Sequence, residues 1–323
     1  MKRLIFSLLT IVPALTYAQQ DEQFTQFMHN RIFYNPGVAG TEDHICVNFL
    51  HRTQWAGFEG APVTQNLNVT LPIKKLHGGV SLTLINEEIG FFSNFGAAVG
   101  YSYNQNLGNG VLGLGVNFSF RNQSTDASGW IPADINRTIG PGIPAIDAAL
   151  ISTDASGGLV DFNFGAYYKT PTWWGGVSAT RLIEANTTVD AENIPGGGAA
   201  SFGNFRHIYV MGGYNWAIPR SNWELQPSLL MKVSNASPTY DINVTGVYNK
   251  KIWGGVTYRN EDAIAALLGY QFTESLKAGY SYDIGASDLA SSASGSHEIM
   301  VRYCFKINIE PKEIQQNNNV RFL

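Results

Sequence analysis

Beyond residue 18 the sequence holds no apolar run approaching the ~20 residues that a membrane-spanning helix needs. Any span of a bilayer must therefore be built from strands. Cysteine is nearly absent: Cys46 and Cys304 are too few for a disulfide-stapled scaffold, and no Cys or His spacing resembles a zinc site. Charged residues make up 14% of the chain and form no basic block. With Lys2 and Arg3 set aside, 19 basic residues stand against 25 acidic ones, which offers no electrostatic footprint for nucleic acid. A Gly-x-Ser-x-Gly elbow is missing too, and the six histidines, His29, His44, His51, His77, His207 and His297, are scattered. Gly108-Asn109-Gly110-Val111-Leu112-Gly113 spells a dinucleotide fingerprint, but it opens a strand pattern where that chemistry needs a helix N-terminus. The chain is therefore expected to be no enzyme and to carry no metal or cofactor; a barrel hydrolase whose triad assembles only in space is the alternative that spacing leaves open.

What is present begins with Met1-Lys2-Arg3, an apolar run from Leu4 to Leu15 and a small-residue ending at Ala18, the pattern of a secretory signal peptide over 1–18. No cysteine follows it where a lipid-anchored precursor would need one. Residues 19–40 are aperiodic, and Tyr34-Asn35-Pro36-Gly37-Val38-Ala39-Gly40 argues against helix or strand. With Phe24, Phe27, Met28, Ile32 and Phe33 to bury, this stretch is expected on the periplasmic side or as a plug inside a barrel.

Strict alternation follows. In the last segment Ile299, Val301, Tyr303, Phe305 and Ile307 share one face, and Glu298, Met300, Arg302, Cys304 and Lys306 share the other. An apolar face of this length opposite such charges fits a strand between lipid and a wet lumen better than a soluble sandwich. About fourteen such strands can be counted. The long connections, near 53–62, 122–158, 184–204 and 285–295, fall at one end, and tight turns fall at the other, as in outer-membrane barrels. Residues 41–309 are thus expected to form an all-β, closed antiparallel transmembrane barrel with both termini periplasmic and 310–323 as a periplasmic tail. Trp173, Trp174, Trp216, Trp223 and Trp253 adjoin the tight turns, as one aromatic girdle would. Gly-Gly-Val recurs at Gly78, Gly175 and Gly254, each time with a Gly-Tyr one strand later; the glycine pairs mark close backbone approach or bends, or are simply common in barrels.

Ionised groups in a barrel wall must pair or meet water. The inward set includes Arg121, Asp161, Lys169, Glu298 and Arg302, with Glu224, Asp241 and Lys306, and reads as structural salt bridges or as a docking surface for a plug or cargo. Arg52, Gln54, Trp55 and Phe58, shaped by Gly57 and Pro62 in a first outer loop spanning 51–65 with Thr64 and Gln65, have the composition of a binding anchor or of a brace at the barrel mouth. Cys46 and Cys304 should approach across the closure seam, because the first and last strands of a barrel are neighbours ~4.8 Å apart. Whether they bond is left open by the unknown shear.

Four stretches carry a resemblance: Tyr34 to Gly40, His51 to Phe58 with Gly60 to Gln65, Asn86-Glu87-Glu88-Ile89-Gly90, and Ser296 to Phe305. Together they resemble the PorP/SprF family of outer-membrane proteins attached to the type IX secretion system of Bacteroidetes. Gly37-Val38 departs slightly from the usual pattern. The resemblance implies localisation to the outer membrane of a Gram-negative, Bacteroidetes-like bacterium. It also implies an adaptor role in secretion and gliding, with periplasmic ring components and a surface adhesin bearing a C-terminal secretion domain as partners, and outer-membrane lipid around it. Tyr34, Asn35 and Pro36 would belong to a partner-binding or structural motif. A substrate channel is the rival function, since barrels above ~8 strands have room beyond their own side chains.

Overall fold

The computed structural model describes residues 22–126, 138–140, 143–144, 155–190, 199–234, 238–260, 262–285 and 294–306. The expected signal peptide, the 310–323 tail and Ile307 lie outside the described residues. Fourteen antiparallel strands close on themselves: β1 (Ile45–Thr53), β2 (Val63–Ile73), β3 (Gly78–Ile89), β4 (Phe92–Leu107), β5 (Gly110–Thr125), β6 (Ala155–Lys169), β7 (Trp173–Thr180), β8 (His207–Tyr214), β9 (Trp223–Val233), β10 (Thr239–Tyr248), β11 (Ile252–Arg259), β12 (Ala263–Gln271), β13 (Leu276–Gly285) and β14 (Ser296–Phe305). Each pairs with its sequence neighbours, and β1 pairs with β14 over nine positions from Ile45↔Phe305 to Thr53↔His297. Closure leaves no sheet edge unpaired, the condition for strands in hydrocarbon.

Period-two patterning produces the two faces. Along β14, Ile299, Val301 and Tyr303 are exposed outward while Glu298 and Met300 are fully buried inward. The outward belt of Phe49, Val99, Val116, Phe118, Phe162, Phe164, Val177, Val210 and Ile264 is too large an exposed apolar surface for a protein in water, and it is what lipid covers. Pro227 sits within β9. Gly213 pairs with Ser228 and Trp216 with Leu225, so the β8 ladder is interrupted beside the residue that has no N–H to give.

The loop sorting is less uniform than the sequence implies. All the long connections do lie at one end, but that end also carries the short links Gly90-Phe91, between β3 and β4, and 260–262, between β11 and β12. Two tryptophans also leave the expected girdle. Trp173, Trp216 and Trp223 are exposed outward, whereas Trp174 and Trp253 point inward and are buried. Alternation dictates this, since adjacent residues of one strand face opposite sides. Trp174 pairs with Gly213 and Trp253 with Gly269, and a Cβ on either glycine would collide with the indole. The recurrent Gly-Tyr therefore makes room for a tryptophan in two of its three occurrences. In the first, Gly100 lies beside Ser81 and Asn117, and it is Gly79 of the same repeat's Gly-Gly-Val that makes room for the backbone of Ala39 and Gly40.

Residues 22–42 run inside the barrel. Glu22 meets Arg121, four residues from the long-loop end of β5; Thr25 and Gln26 meet Asp283 and Glu298, each two residues from the long-loop ends of β13 and β14. Glu42 meets Lys169 and Arg302 near the tight-turn ends of β6 and β14. The segment thus descends the lumen from the long-loop end to the tight-turn end before β1 turns back up. The last described residue, Lys306, lies at the tight-turn end, and the first, Glu22, lies toward the long-loop end.

Candidate functional site

The functional geometry is the seat of this internal segment, whose local structure is three single turns: Phe27–His29, Arg31–Tyr34 and Pro36–Val38. Pro36 opens the last of these, where its fixed φ is an advantage. Asn35 caps it, its Oδ1 accepting from the Gly37 N–H at 2.8 Å. The other end of the same side chain, Nδ2, donates to the Ala166 and Val177 carbonyls, on adjacent strands β6 and β7, at 3.0 and 3.2 Å. Asn35 is wholly buried with every polar atom engaged. The wall admits it only because glycines face it: a Cβ at Gly165 or Gly176 would meet the Asn35 amide, one at Gly115 would meet Pro36, and one at Gly113 would meet the Gly37 carbonyl. Gly113 closes the false dinucleotide fingerprint, which thus has a steric role.

Polar wall positions hold the rest. Asn30 accepts from Asn48 and Asn68 Nδ2 at 3.3 and 2.6 Å and donates to Asn66 Oδ1 at 3.1 Å. Ser178 donates to the Tyr34 carbonyl at 2.6 Å, Ser102 to that of Gly37 at 3.2 Å, and Asn104 to that of Ala39 at 3.1 Å. Apolar contacts complete the seat: Phe24, Phe27 and Tyr34 cluster with Leu50, Tyr167, Trp174, Tyr209, Met211, Trp253 and Met300.

Charges gather at both ends. Toward the long loops, Arg52 pairs with Asp283 at 2.7 Å and Glu298 at 3.3 Å, and Arg259 pairs with Asp241 and Asp262 at 3.2 Å and with Asp283 at 3.5 Å. Glu298 accepts the backbone N–H groups of Thr25 and Gln26 at 2.8 and 2.9 Å, and the Thr25 hydroxyl donates to Asp283. Toward the tight turns, Glu42 gathers Arg31 at 3.5 Å, Lys169 at 3.6 Å and Arg302. Burial alone would raise the Glu42 carboxyl, but Arg302, Lys169 and Arg31 outweigh it and hold it well below the usual carboxylate range.

The expected charge set is therefore divided rather than one cluster. Glu298 joins the upper network, Lys169 and Arg302 join the lower, and Arg121 pairs separately with Glu22 at 2.9 Å. Asp161 accepts the N–H groups of Phe162 and Ile183 at 2.9 and 2.8 Å, a turn-fixing role. Arg52 is a second correction: it lies on β1 facing inward, almost wholly buried, and not in the outer loop, because β1 continues to Thr53. Thr64 and Gln65 likewise belong to β2. The loop itself spans 54–62. There the Gln54 N–H donates to the Pro62 carbonyl at 2.9 Å, the Trp55 N–H to Ser296 at 3.1 Å and the Ala56 N–H to the Gly295 carbonyl at 2.7 Å, while Gly57 and Phe58 are exposed. Cys46 and Cys304 pair directly across the seam, Cα to Cα 4.1 Å, and are joined by a disulfide. Arg259, Asp283, Glu42, Lys277, Glu22 and Thr25 went unnoticed in the sequence. Arg259 and Asp283 had a usable signal, since both fall on inward positions of their strands.

A sequence model of the family described as type IX secretion system membrane protein PorP/SprF matches residues 16–303. No curated protein matches the chain. Among solved structures, it is similar to the outer membrane protein Omp33 of Acinetobacter baumannii (10% identity, 83% of this chain and 100% of that one, TM-score 0.43). It is also similar to the CymD monoaromatic hydrocarbon channel (10% identity, 88% and 93%, TM-score 0.47) and to the KdgM porin (9% identity, 80% and 99%, TM-score 0.36).

Proposed function

Because the chain belongs to the PorP/SprF family of type IX secretion system membrane proteins, we propose that this outer-membrane barrel works as a closed, non-enzymatic adaptor of the secretion and gliding apparatus. In this reading it holds periplasmic ring components on one side and assists secretion or surface attachment of an adhesin, through its C-terminal domain, on the other. One observation carries the preference for an adaptor over a substrate channel: the lumen is occupied from end to end by residues 22–42, fastened at the top by the Glu22–Arg121 ion pair and the hydrogen bonds of Thr25 and Gln26 to Glu298 and Asp283, at the bottom by the Glu42–Arg302 ion pair, and by Asn30 and Asn35 between them. A channel would have to break these contacts for every passage. Leaving any one of the buried charges unpaired costs about 3–5 kcal/mol.

The loop 54–62 supports an outward docking surface, with Phe58 exposed on a frame tied to the base of the last loop. Purification of the full chain from its native membrane, with mass spectrometry of what stays bound, tests the proposal. Retention of periplasmic ring proteins or an adhesin C-terminal domain is the expected result; solute flux through the purified barrel with no protein retained would replace the adaptor by a channel.

A further inference from the structure

The tight-turn end of the lumen gathers four cations: Arg31 from the internal segment, Lys169 from β6, Lys277 from β13 and Arg302 from β14. Among the described residues one carboxylate serves them, Glu42, which pairs with Arg31, Lys169 and Arg302. The remaining contacts bring no negative charge. The Lys277 ammonium donates to His29 Nδ1 at 3.2 Å and lies 5.6 Å from the Trp253 ring, and Arg31 donates to the Tyr167 hydroxyl at 2.6 Å and covers Trp174 at 4.8 Å. Guanidinium groups do not lose their charge. Arg31 and Arg302 alone therefore outnumber Glu42, whatever the lysines do. A buried excess of charge calls for a counter-charge.

Two further observations locate it. A cavity of about 30 Å³ is bounded by His29, Arg31, Glu42, Asn48, Asn68 and Arg302. That is room for a water or a monatomic ion. His29 supplies the second. Because Nδ1 accepts from Lys277, the neutral ring carries its hydrogen on Nε2, and Nε2 is buried without an acceptor.

We propose that this cavity is a binding site for one small inorganic anion of halide size. The anion offsets the excess of positive charge and gives the His29 Nε2–H an acceptor. Since His29 and Arg31 belong to the internal segment and Arg302 to the wall, it also ties the two together. The site depends on the lumen geometry and stands apart from the adaptor reading.

Diffraction from crystals of the full chain in sodium bromide tests it directly, with an anomalous peak expected within hydrogen-bond reach of Arg31, Arg302 and His29. In detergent at matched ionic strength, the protein should melt roughly 2–5 °C higher in chloride than in gluconate, a far bulkier anion. Lys277→Met should shrink that difference. If this variant does not fold, Lys169→Met, at the most exposed cation, serves in its place. No bromide peak, a water that bromide does not displace, or equal melting of the native chain in the two salts would each overturn the proposal.

Discussion

The two ends of the lumen solve the same problem with opposite charge. At the long-loop end, Arg52 and Arg259 face four carboxylates, Asp241, Asp262, Asp283 and Glu298, and the acid excess is met by donors of the internal segment, the N–H groups of Thr25 and Gln26 and the Thr25 hydroxyl. At the tight-turn end the internal segment supplies the carboxylate, Glu42, and the wall supplies most of the cations. Thr25 and Gln26 thus donate to the upper acid network and Glu42 accepts from the lower cations, while Glu22 above and Arg31 below run the other way. Reversing its direction in the lumen would set backbone N–H groups against cations and Glu42 against carboxylates, so the charge asymmetry fixes its orientation as well as its depth.

Breaking the upper end should cost most. Arg52→Ala leaves Asp283 and Glu298 buried with less than their charge compensated, at a cost of about 3–5 kcal/mol. The expected result is a large fall in melting temperature, with protease cutting within residues 22–30 before the barrel itself unfolds. Next in size is the seam. Cys46→Ser removes a cross-link between residues 258 apart in sequence, worth about 2–4 kcal/mol in typical cases. The variant should lose heat resistance without losing its barrel, and treating the native chain with reductant should reproduce the loss.

Asn35→Ala tests the middle of the segment. It removes one acceptor and two donor contacts and leaves the Ala166 and Val177 carbonyls without this partner, for about 1–3 kcal/mol. The readout is faster hydrogen exchange at Gly37 and its neighbours, with the upper network unchanged.

The smallest effect is the pH response of the lower end. Burial, then Lys277, Arg302 and Arg31, push His29 well below its ordinary 6.5, against a small opposing pull from Glu42. A depressed histidine binds a proton more readily in the unfolded chain. Stability from this site is therefore full above about pH 6.5 and declines as pH falls below it. Glu42 acts with the same sign but at lower pH: its depressed carboxyl contributes fully above the ordinary carboxylate range and is lost only under strongly acid conditions. His29→Gln should flatten the melting profile between pH 7 and 5, and an unchanged slope would remove His29 from the account.

How much of this was legible in the sequence depends on distance along the chain. The wall was readable because a period of two is local: Ile299 against Met300 or Val47 against Cys46 needs only a neighbour for comparison. Even the inward turn of Trp174 and Trp253 was available from the same rule, but their position beside tight turns suggested a girdle instead. The approach of Cys46 and Cys304 was readable too, because closure alone makes the first and last strands neighbours. The lumen contacts were not, since Arg52 meets Asp283 across 231 positions and Thr25 meets Glu298 across 273. The same holds for the wall glycines. Gly113, Gly115, Gly165 and Gly176 are plain in the sequence, but what they make room for is Asn35 to Gly37, placed there by the whole closed barrel.

The central claim is that the internal segment keeps this barrel closed. Conductance of the purified full chain in a planar bilayer tests it most directly, with Arg52→Ala measured alongside. The account predicts a silent native barrel and intermittent openings in the variant; steady ohmic conductance through the native protein with residues 22–42 in place would contradict it.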